Sequence, residues 1–139
     1  MVAATAATQE STFENYAANN CIDGDLNTLC HTKKGTNVWF KMTLTETSCI
    51  DSVRIVCHKT DGEQFRMDKG EITVLNSGAG KESICGVLRV REGSDQTYNI
   101  KCEKYACGDQ VKLSVSQSLP ELPPIISMKE MTAYYSTGE

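Results

Sequence analysis

Residues 38–44, with the sequence VWFKMTL, decide the fold of this chain. Val38, Phe40, Met42 and Leu44 occupy every second position, and Trp39, Lys41 and Thr43 stand between them. This period of two is typical of a β-strand that buries one face and exposes the other. The stretch therefore predicts a half-buried strand.

The same period recurs through most of the chain after residue 37. Further strands are predicted at residues 52–57, 71–75, 86–91, 97–102, 110–116 and 127–135. Turn-forming residues cluster between them, at 59–62, 76–80, 92–95 and 108–109,. Many short strands at near-regular spacing predict an all-β fold, an antiparallel β-sandwich (jelly roll) of about eight strands with little helix. The only helix candidate covers residues 12–19, and residues 120–124 read as the connection into the last strand.

Length and composition narrow the class of protein. A chain of 139 residues is one domain by size, so we expect a single domain over residues 1–139,. Apolar residues make up 40% and charged residues 23%, which is typical of a globular domain,. The formal net charge of −4 lacks the basic excess of a nucleic-acid-binding protein,. The sequence contains no run of eighteen apolar residues, so it predicts no helix that crosses a membrane,.

The cysteine content indicates an oxidising compartment. Seven cysteines in 139 residues are many for a protein in a reducing environment,. The sequence has neither a C-x2-C pair nor paired histidines, so a zinc site is disfavoured,. The first eight residues lack the charged segment and apolar block of a signal peptide, so the chain is either cytosolic or has lost its signal,. The cysteines favour a secreted, disulfide-bonded protein. Their odd number leaves at least one thiol free, buried or intermolecular.

A candidate binding site combines His31, Lys59, Asp61 and Arg66. The guanidinium offers a rigid fork of donors, the ammonium is a compact donor, and a neutral imidazole both donates and accepts. These groups suit the hydroxyls and ring oxygen of a sugar, and Asp61 would hold a cation in place. The alternative is an ordinary solvated group of loop charges.

A second candidate site lies in residues 20–28, with the sequence NCIDGDLNT. Carboxylates and amides around a glycine put several oxygens on one tight loop, which suits a hard cation such as Ca²⁺. The loop is not an EF-hand, because it has no glutamate at the twelfth position,. The alternative is an Asx-rich turn without a metal.

Two further patterns concern Cys85 with Cys102, and Cys30 with His31. Cys85 and Cys102 stand at the ends of strands joined by the 92–95 turn, so we favour a disulfide over two buried thiols. Such a link stabilises by about 3 kcal/mol in the chain-entropy model. Cys30 and His31 are adjacent, and neighbours on a strand point to opposite faces, which disfavours a nucleophile–base pair. No catalytic motif is present, so we expect no enzymatic activity,.

Several segments together resemble the F-type lectins, or fucolectins. They are residues 7–13 (ATQESTF), 17–25 (AANNCIDGD), 30–32 (CHT) and 38–44 (VWFKMTL). That family is part of the discoidin, or coagulation factor 5/8 type C, group of galactose-binding-like β-jelly rolls. Its signature is a His followed, some two dozen residues later, by Arg-x-Asp, four residues and a second Arg or Lys. This chain is similar, with His31, then Lys59 and Asp61, then Arg66, and the resemblance covers residues 7–135.

The resemblance implies roles for individual residues. His31, Lys59 and Arg66 would bond two hydroxyls and the ring oxygen of α-L-fucose, with Asp61 in support. The ligands of a structural Ca²⁺ would be Asn20, Asp23, Asp25, Thr28 (or its neighbour Leu29) and Glu130. Cys85 and Cys102 match a family disulfide.

The chain also departs from the family pattern. Lys59 replaces the usual first Arg, which gives up a bidentate fork and keeps a point charge. Residues 62–65 (GEQF) stand where family members often carry adjacent cysteines. Lys129 stands where the family has a cysteine, so Cys30 would lack its expected partner.

The function that follows is a secreted lectin that recognises terminal L-fucose on glycans. Its partners would be fucosylated glycans or glycoproteins, with membranes reached only through glycans and avidity supplied by homo-oligomers or tandem copies. The alternative is a discoidin-like domain whose sugar site has decayed and which binds protein or phospholipid surfaces. The sequence leaves open the preferred glycan, whether Lys59 preserves fucose binding, the oligomeric state, the biological role and the pairing of Cys21, Cys30, Cys49, Cys57 and Cys107.

Overall fold

The computed structural model describes residues 1–58, 66–90, 97–116 and 123–135. Within them it contains seven strands: β1 (Ala4–Gln9), β2 (Cys30–His31), β3 (Val38–Cys57), β4 (Glu71–Asn76), β5 (Lys81–Val87), β6 (Thr97–Val115) and β7 (Ser127–Tyr135). A short 3-10 helix covers Ala18–Cys21. The fold is the predicted antiparallel β-sandwich. The seven described strands agree with the expected count of about eight, although β3 and β6 each join two stretches that were predicted as separate strands and β1 and β2 were not predicted.

The two long strands connect the layers of the sandwich. The first half of β3 pairs with β1 and with the second half of β6. The second half of β6 also pairs with β4, and β4 pairs with β5. The second half of β3 pairs with the first half of β6 and with β7, and β7 also pairs with β2. The β3–β6 register shifts between Thr43 and Ser48 and again between Ile50 and Ser52. Such bulges bend a strand, so they mark where β3 and β6 pass from one layer to the other.

The core confirms the alternation read from residues 38–44. Val38, Phe40, Met42 and Leu44 are all buried, whereas the residues between them are partly exposed. Buried side chains from both halves of the long strands belong to one hydrophobic cluster. Burying a Phe or Leu side chain contributes about 1.5–3 kcal/mol, so this cluster is the main stabilising feature of the sandwich.

Three local predictions were wrong. Residues 12–17 are irregular rather than helical: Glu14 has a φ of 53°, and the Phe13 amide donates to the His31 carbonyl instead of to its own helix. Residues 108–109 lie inside β6, where a side chain on Gly108 would collide with the Leu75 backbone, so this glycine permits close strand packing rather than a turn,. The strand predicted at 86–91 lies earlier in the chain, as β5 (Lys81–Val87). The turn expected at 76–80 is present.

The structure pairs six of the seven cysteines. Cys85 is bonded to Cys102 as expected, and the other pairs are Cys21–Cys30 and Cys49–Cys107. Cys30 therefore has a partner, contrary to the expectation from the family pattern. Cys57 is the free thiol, and burial raises its pKa to about 12. Among the described residues, no helix has the length and apolar character needed to cross a membrane.

Candidate functional site

His31 lies at one end of the sandwich, on the short strand β2. It is opposite Ser127 of β7, and the pair Cys30 and Met128 fixes the register. The His31 amide donates to the Tyr16 carbonyl at 3.1 Å, and the His31 carbonyl accepts from the Phe13 amide at 2.9 Å. These two backbone bonds hold the irregular segment 13–16 against the imidazole.

The two aromatic residues of this segment surround the His31 ring. The ring centroids of Phe13 and His31 are 4.9 Å apart, and those of Tyr16 and His31 are 6.2 Å apart. Phe13 and Tyr16 are nearly parallel, with centroids 6.3 Å apart, and Phe13 is 42% exposed. The sequence reasoning missed this group, because Phe13 and Tyr16 lie within the residues predicted as helix. It gives the site an apolar surface beside a polar ring.

The backbone also fixes which nitrogen of His31 carries the proton. Nδ1 is 2.6 Å from the Thr32 carbonyl oxygen, which can only accept. Nδ1 must therefore donate, and in the neutral ring Nε2 then acts as an acceptor. This tautomer gives the ring one hydrogen-bond donor and one hydrogen-bond acceptor.

His58 is a second imidazole at the same end of the sheet, and it too was missed. Its Nδ1 is 3.3 Å from the Ser127 hydroxyl, and its amide donates to the Ser127 carbonyl at 3.2 Å. Ser127 is the register partner of His31, so His31 on β2 and His58, directly after the end of β3, lie on either side of Ser127 on β7. The signal available in the sequence was the position of His58 at the end of a predicted strand, next to the basic motif.

The remaining predicted sugar-site residues are described only in part. Arg66 is partly buried and directly precedes Met67, whose side chain is fully buried in the core. Lys59 and Asp61 lie outside the described residues. The assembly of His31, Lys59, Asp61 and Arg66 into one site stays a prediction.

The predicted calcium loop concentrates oxygen atoms around one hydroxyl. Thr28 Oγ1 lies 2.7 Å from Asp23 Oδ2, 3.0 Å from the Asp25 carbonyl oxygen and 3.2 Å from the Asn20 carbonyl oxygen. The hydroxyl has a single proton and can donate fully to only one of these three acceptors. The loop therefore holds more acceptors than donors, which is the chemistry that a hard cation suits.

Glu130 of β7 faces this loop. Its Oε2 accepts from the Gly24 amide at 3.2 Å, while its Oε1 is buried and has no hydrogen-bond partner among the residues that the structure describes. The pKa of Glu130 is raised to about 7, chiefly by burial and in smaller part by the charges of Asp23 and Asp25, while the Gly24 bond acts to lower it. Gly24 has a φ of 75°, which suits glycine,. An orphaned carboxylate oxygen beside two more carboxylates fits a bound cation.

The donor set is mixed. Within the described residues, no three His, Cys, Asp or Glu side chains come close enough to hold a metal alone. Carbonyl and hydroxyl oxygens from Asn20, Asp25 and Thr28 would have to complete the coordination, as is common for Ca²⁺. The predicted ligands Asn20, Asp23, Asp25 and Thr28 share one loop, which fits Ca²⁺ rather than zinc.

A disulfide connects the oxygen-rich loop to the imidazole. Cys21–Cys30 closes the loop at both ends, and Cys30 directly precedes His31. Asn20 also donates from Nδ2 to the Leu29 carbonyl at 3.1 Å. The loop and His31 are therefore joined by a short, cross-linked segment.

Comparison with known proteins places this arrangement among sugar-binding domains. A family model described as the NedA-like, galactose-binding domain of the F5/F8 type C group matches residues 20–113. No curated protein sequence matches the chain significantly.

Solved structures with the same fold include several that bind sugars. The lectin domain of lectinolysin, complexed with Lewis b antigen, has a TM-score of 0.82 at 18% identity, covering 97% of this chain and 95% of its own. A fucose-binding module from Streptococcus pneumoniae has a TM-score of 0.78 at 18% identity, covering 97% and 94%. A fucolectin from striped bass (Morone saxatilis) serum has a TM-score of 0.76 at 24% identity, and the match covers 95% of this chain but 45% of that one. These likenesses establish the fold.

Proposed function

Because this chain belongs to the family of NedA-like, galactose-binding domains, we propose that it is a lectin that recognises terminal L-fucose on glycans. The structural neighbours that bind fucose or a Lewis antigen support this choice of sugar. The observation that carries the proposal is His31, a partly exposed imidazole with a fixed tautomer inside an aromatic group.

The His31 site offers the two kinds of contact that a deoxysugar requires. Nε2 of the neutral ring accepts a hydrogen bond from a sugar hydroxyl, and Arg66 and Lys59 donate hydrogen bonds to hydroxyl and ring oxygens. The exposed ring of Phe13 provides an apolar surface for the methyl group or a C–H face of the sugar,. Asp61 supports the cations. Only a few hydrogen bonds replace the strong hydration of the free sugar, so the affinity of each site is modest. Oligomers or tandem copies raise the overall avidity.

A structural calcium ion belongs to the same proposal. Asn20, Asp23, Asp25, Thr28 and Glu130 would hold it, since their oxygens outnumber the local donors. The ion supplies positive charge that offsets the repulsion among the three carboxylates. Through the Cys21–Cys30 disulfide, an ordered loop keeps His31 in place. Three disulfides fit a secreted protein whose partners are fucosylated glycoproteins,.

Titration calorimetry with free L-fucose, D-galactose and D-mannose in the presence of calcium tests the proposal. We expect binding of fucose and much weaker binding of the other two sugars. Arg66→Ala should weaken fucose binding at least about tenfold because it removes a charged donor, with little change in the melting temperature.

Arg54→Ala is the matched control, because Arg54 is an exposed arginine in the second half of β3. It should bind fucose as the unaltered protein does. Equal affinity for the three sugars, or full binding by Arg66→Ala, would overturn the proposal. A glycan array without fucosylated hits would do the same and would point to a protein or phospholipid surface instead.

A further inference from the structure

A second group of side chains with binding chemistry lies on the opposite layer from His31. In the register of β3 and β6, Trp39 faces Ser114 and Lys41 faces Lys112. Their chain neighbours Phe40, Val111 and Leu113 are buried in the core, so Trp39, Lys41 and Lys112 project from the outer face of the sheet,. All three are partly exposed. We call these three residues the tryptophan–lysine cluster.

The tryptophan–lysine cluster is electrostatically unfavourable by itself. Like charges directly opposite each other on neighbouring strands destabilise a sheet, and Lys41 and Lys112 are such a pair,. Each ammonium nitrogen lies 5.8 Å from the centre of the Trp39 ring, and within the described chain neither makes an ion pair with a carboxylate. Cation–π attraction offsets part of the repulsion. Two positive charges therefore lie close to one aromatic ring, although the net charge of the chain is −4.

The row of side chains beside the cluster adds a polar group and an apolar one. Thr73 of β4 is opposite Lys112 on one side and Ile84 of β5 on the other. The Thr73 hydroxyl is buried and has no hydrogen-bond partner within the described part of the chain. Thr73 is 3% exposed, so its hydroxyl does not face a bound ligand, whereas Ile84 is 61% exposed and adds an apolar surface beside the cluster.

We propose that this face is a second binding site, for a saccharide that carries a carboxylate or a sulfate. The Trp39 ring receives a C–H face of the sugar, and Lys41 and Lys112 contact the anionic group. Each ammonium nitrogen lies 5.8 Å from the centre of the same ring, so both lie near a sugar that contacts Trp39. The acidic net charge disfavours long polyanions such as nucleic acid,. The proposal is independent of the fucose site.

The chain contains one tryptophan, so its fluorescence reports on this face alone. We suggest titrating the full chain with D-galacturonic acid and with galactose 6-sulfate, and using neutral D-galactose for comparison. The anionic sugars should change the Trp39 emission saturably, and 0.5 M salt should weaken the effect because the contacts are electrostatic. Galactose should have little effect.

The double variant Lys41→Gln and Lys112→Gln should lose at least about tenfold in affinity for the anionic sugars without a lower melting temperature, since it removes a like-charge pair. The double variant Lys101→Gln and Lys104→Gln makes the same change in net charge at two exposed positions of β6 and should bind normally. No response to either anionic sugar would overturn the proposal. An equal response to galactose, or equal losses in both variants, would also overturn it. Arg66→Ala should leave this response unchanged, so the two sites can fail separately.

Discussion

The loop at residues 21–28 and the turn at residues 77–80 are built from similar parts. Each has a glycine in left-handed backbone, with φ values of 75° at Gly24 and 63° at Gly80. Each also has a carboxylate next to a hydroxyl, Asp23 with Thr28 in the loop and Asp109 with Ser77 at the turn. The sequence predicted a turn at residues 76–80, and an Asx-rich turn was the alternative to a metal site at residues 20–28.

The two regions differ in the balance between donors and acceptors. At the turn, the Asp109 carboxylate accepts from both the hydroxyl and the amide of Ser77, and these bonds lower its pKa. In the loop, three acceptors compete for the Thr28 hydroxyl, and the carboxylate of Glu130 is half-buried with a raised pKa. The turn satisfies its own carboxylate. Beside the loop, Oε1 of Glu130 has no hydrogen-bond partner among the described residues, and a bound cation would satisfy it.

Removal of calcium should have the largest effect on the melting temperature, and this effect should come from the loop rather than from the turn. If calcium is present at about 100 times its dissociation constant, its binding stabilises the fold by about 2.7 kcal/mol. A chelator should then lower the melting temperature by about 10 °C for a chain of this size. Scanning calorimetry with and without the chelator measures the shift.

Re-added calcium should restore the melting temperature, and magnesium should do so poorly because it demands a stricter octahedral geometry. A melting temperature indifferent to the chelator would mean that the loop is an ordinary turn like the one at 77–80.

Replacing Glu130 with Gln should have effects of opposite sign with and without calcium. Without calcium, the change removes a half-buried charge that Asp23 and Asp25 repel, so the variant should melt a few degrees higher than the unaltered protein above pH 7,. With calcium, it removes a ligand, so calcium affinity should fall at least about tenfold and the variant should melt lower. Melting curves at pH 8, with and without calcium, test both signs.

Glu103→Gln is the matched control, because Glu103 is an exposed carboxylate on β6. Its melting temperature should change little under either condition. If Glu130→Gln shifted in the same direction with and without calcium, the acceptor-rich loop would not be a cation site.

The sequence predicted the architecture well because alternation reports burial directly. Val38, Phe40, Met42 and Leu44 are buried as their spacing required. Long-range register is harder to predict, because it depends on partners far along the chain. The pairing of Cys49 with Cys107 and of Lys41 with Lys112 follows from the β3–β6 ladder, and neither pair has a local signal.

The candidate sites were only partly predictable. Asp23, Asp25 and Thr28 are close in sequence, and the structure places them together in one loop. Phe13 and Tyr16 were missed because tertiary hydrogen bonds to His31 override the local preference for helix in that segment. Gly108 was misread as a turn residue for a similar reason, since its small size serves the packing of β6 against Leu75.

Replacing Asp109 with Asn should have the smallest effect, and calcium should not alter it. The Ser77 hydroxyl and amide hold the pKa of Asp109 below its ordinary value of 3.8, so the ionised carboxylate stabilises the fold above that pH,. This contribution is lost as the pH falls through the lower pKa of the folded state. The variant should therefore melt slightly below the unaltered protein at pH 6, and the difference should disappear at acidic pH below the ordinary value. Because the carboxylate is exposed and already satisfied, a difference that depended on calcium would show that the turn and the loop are coupled, and the contrast between them would no longer hold.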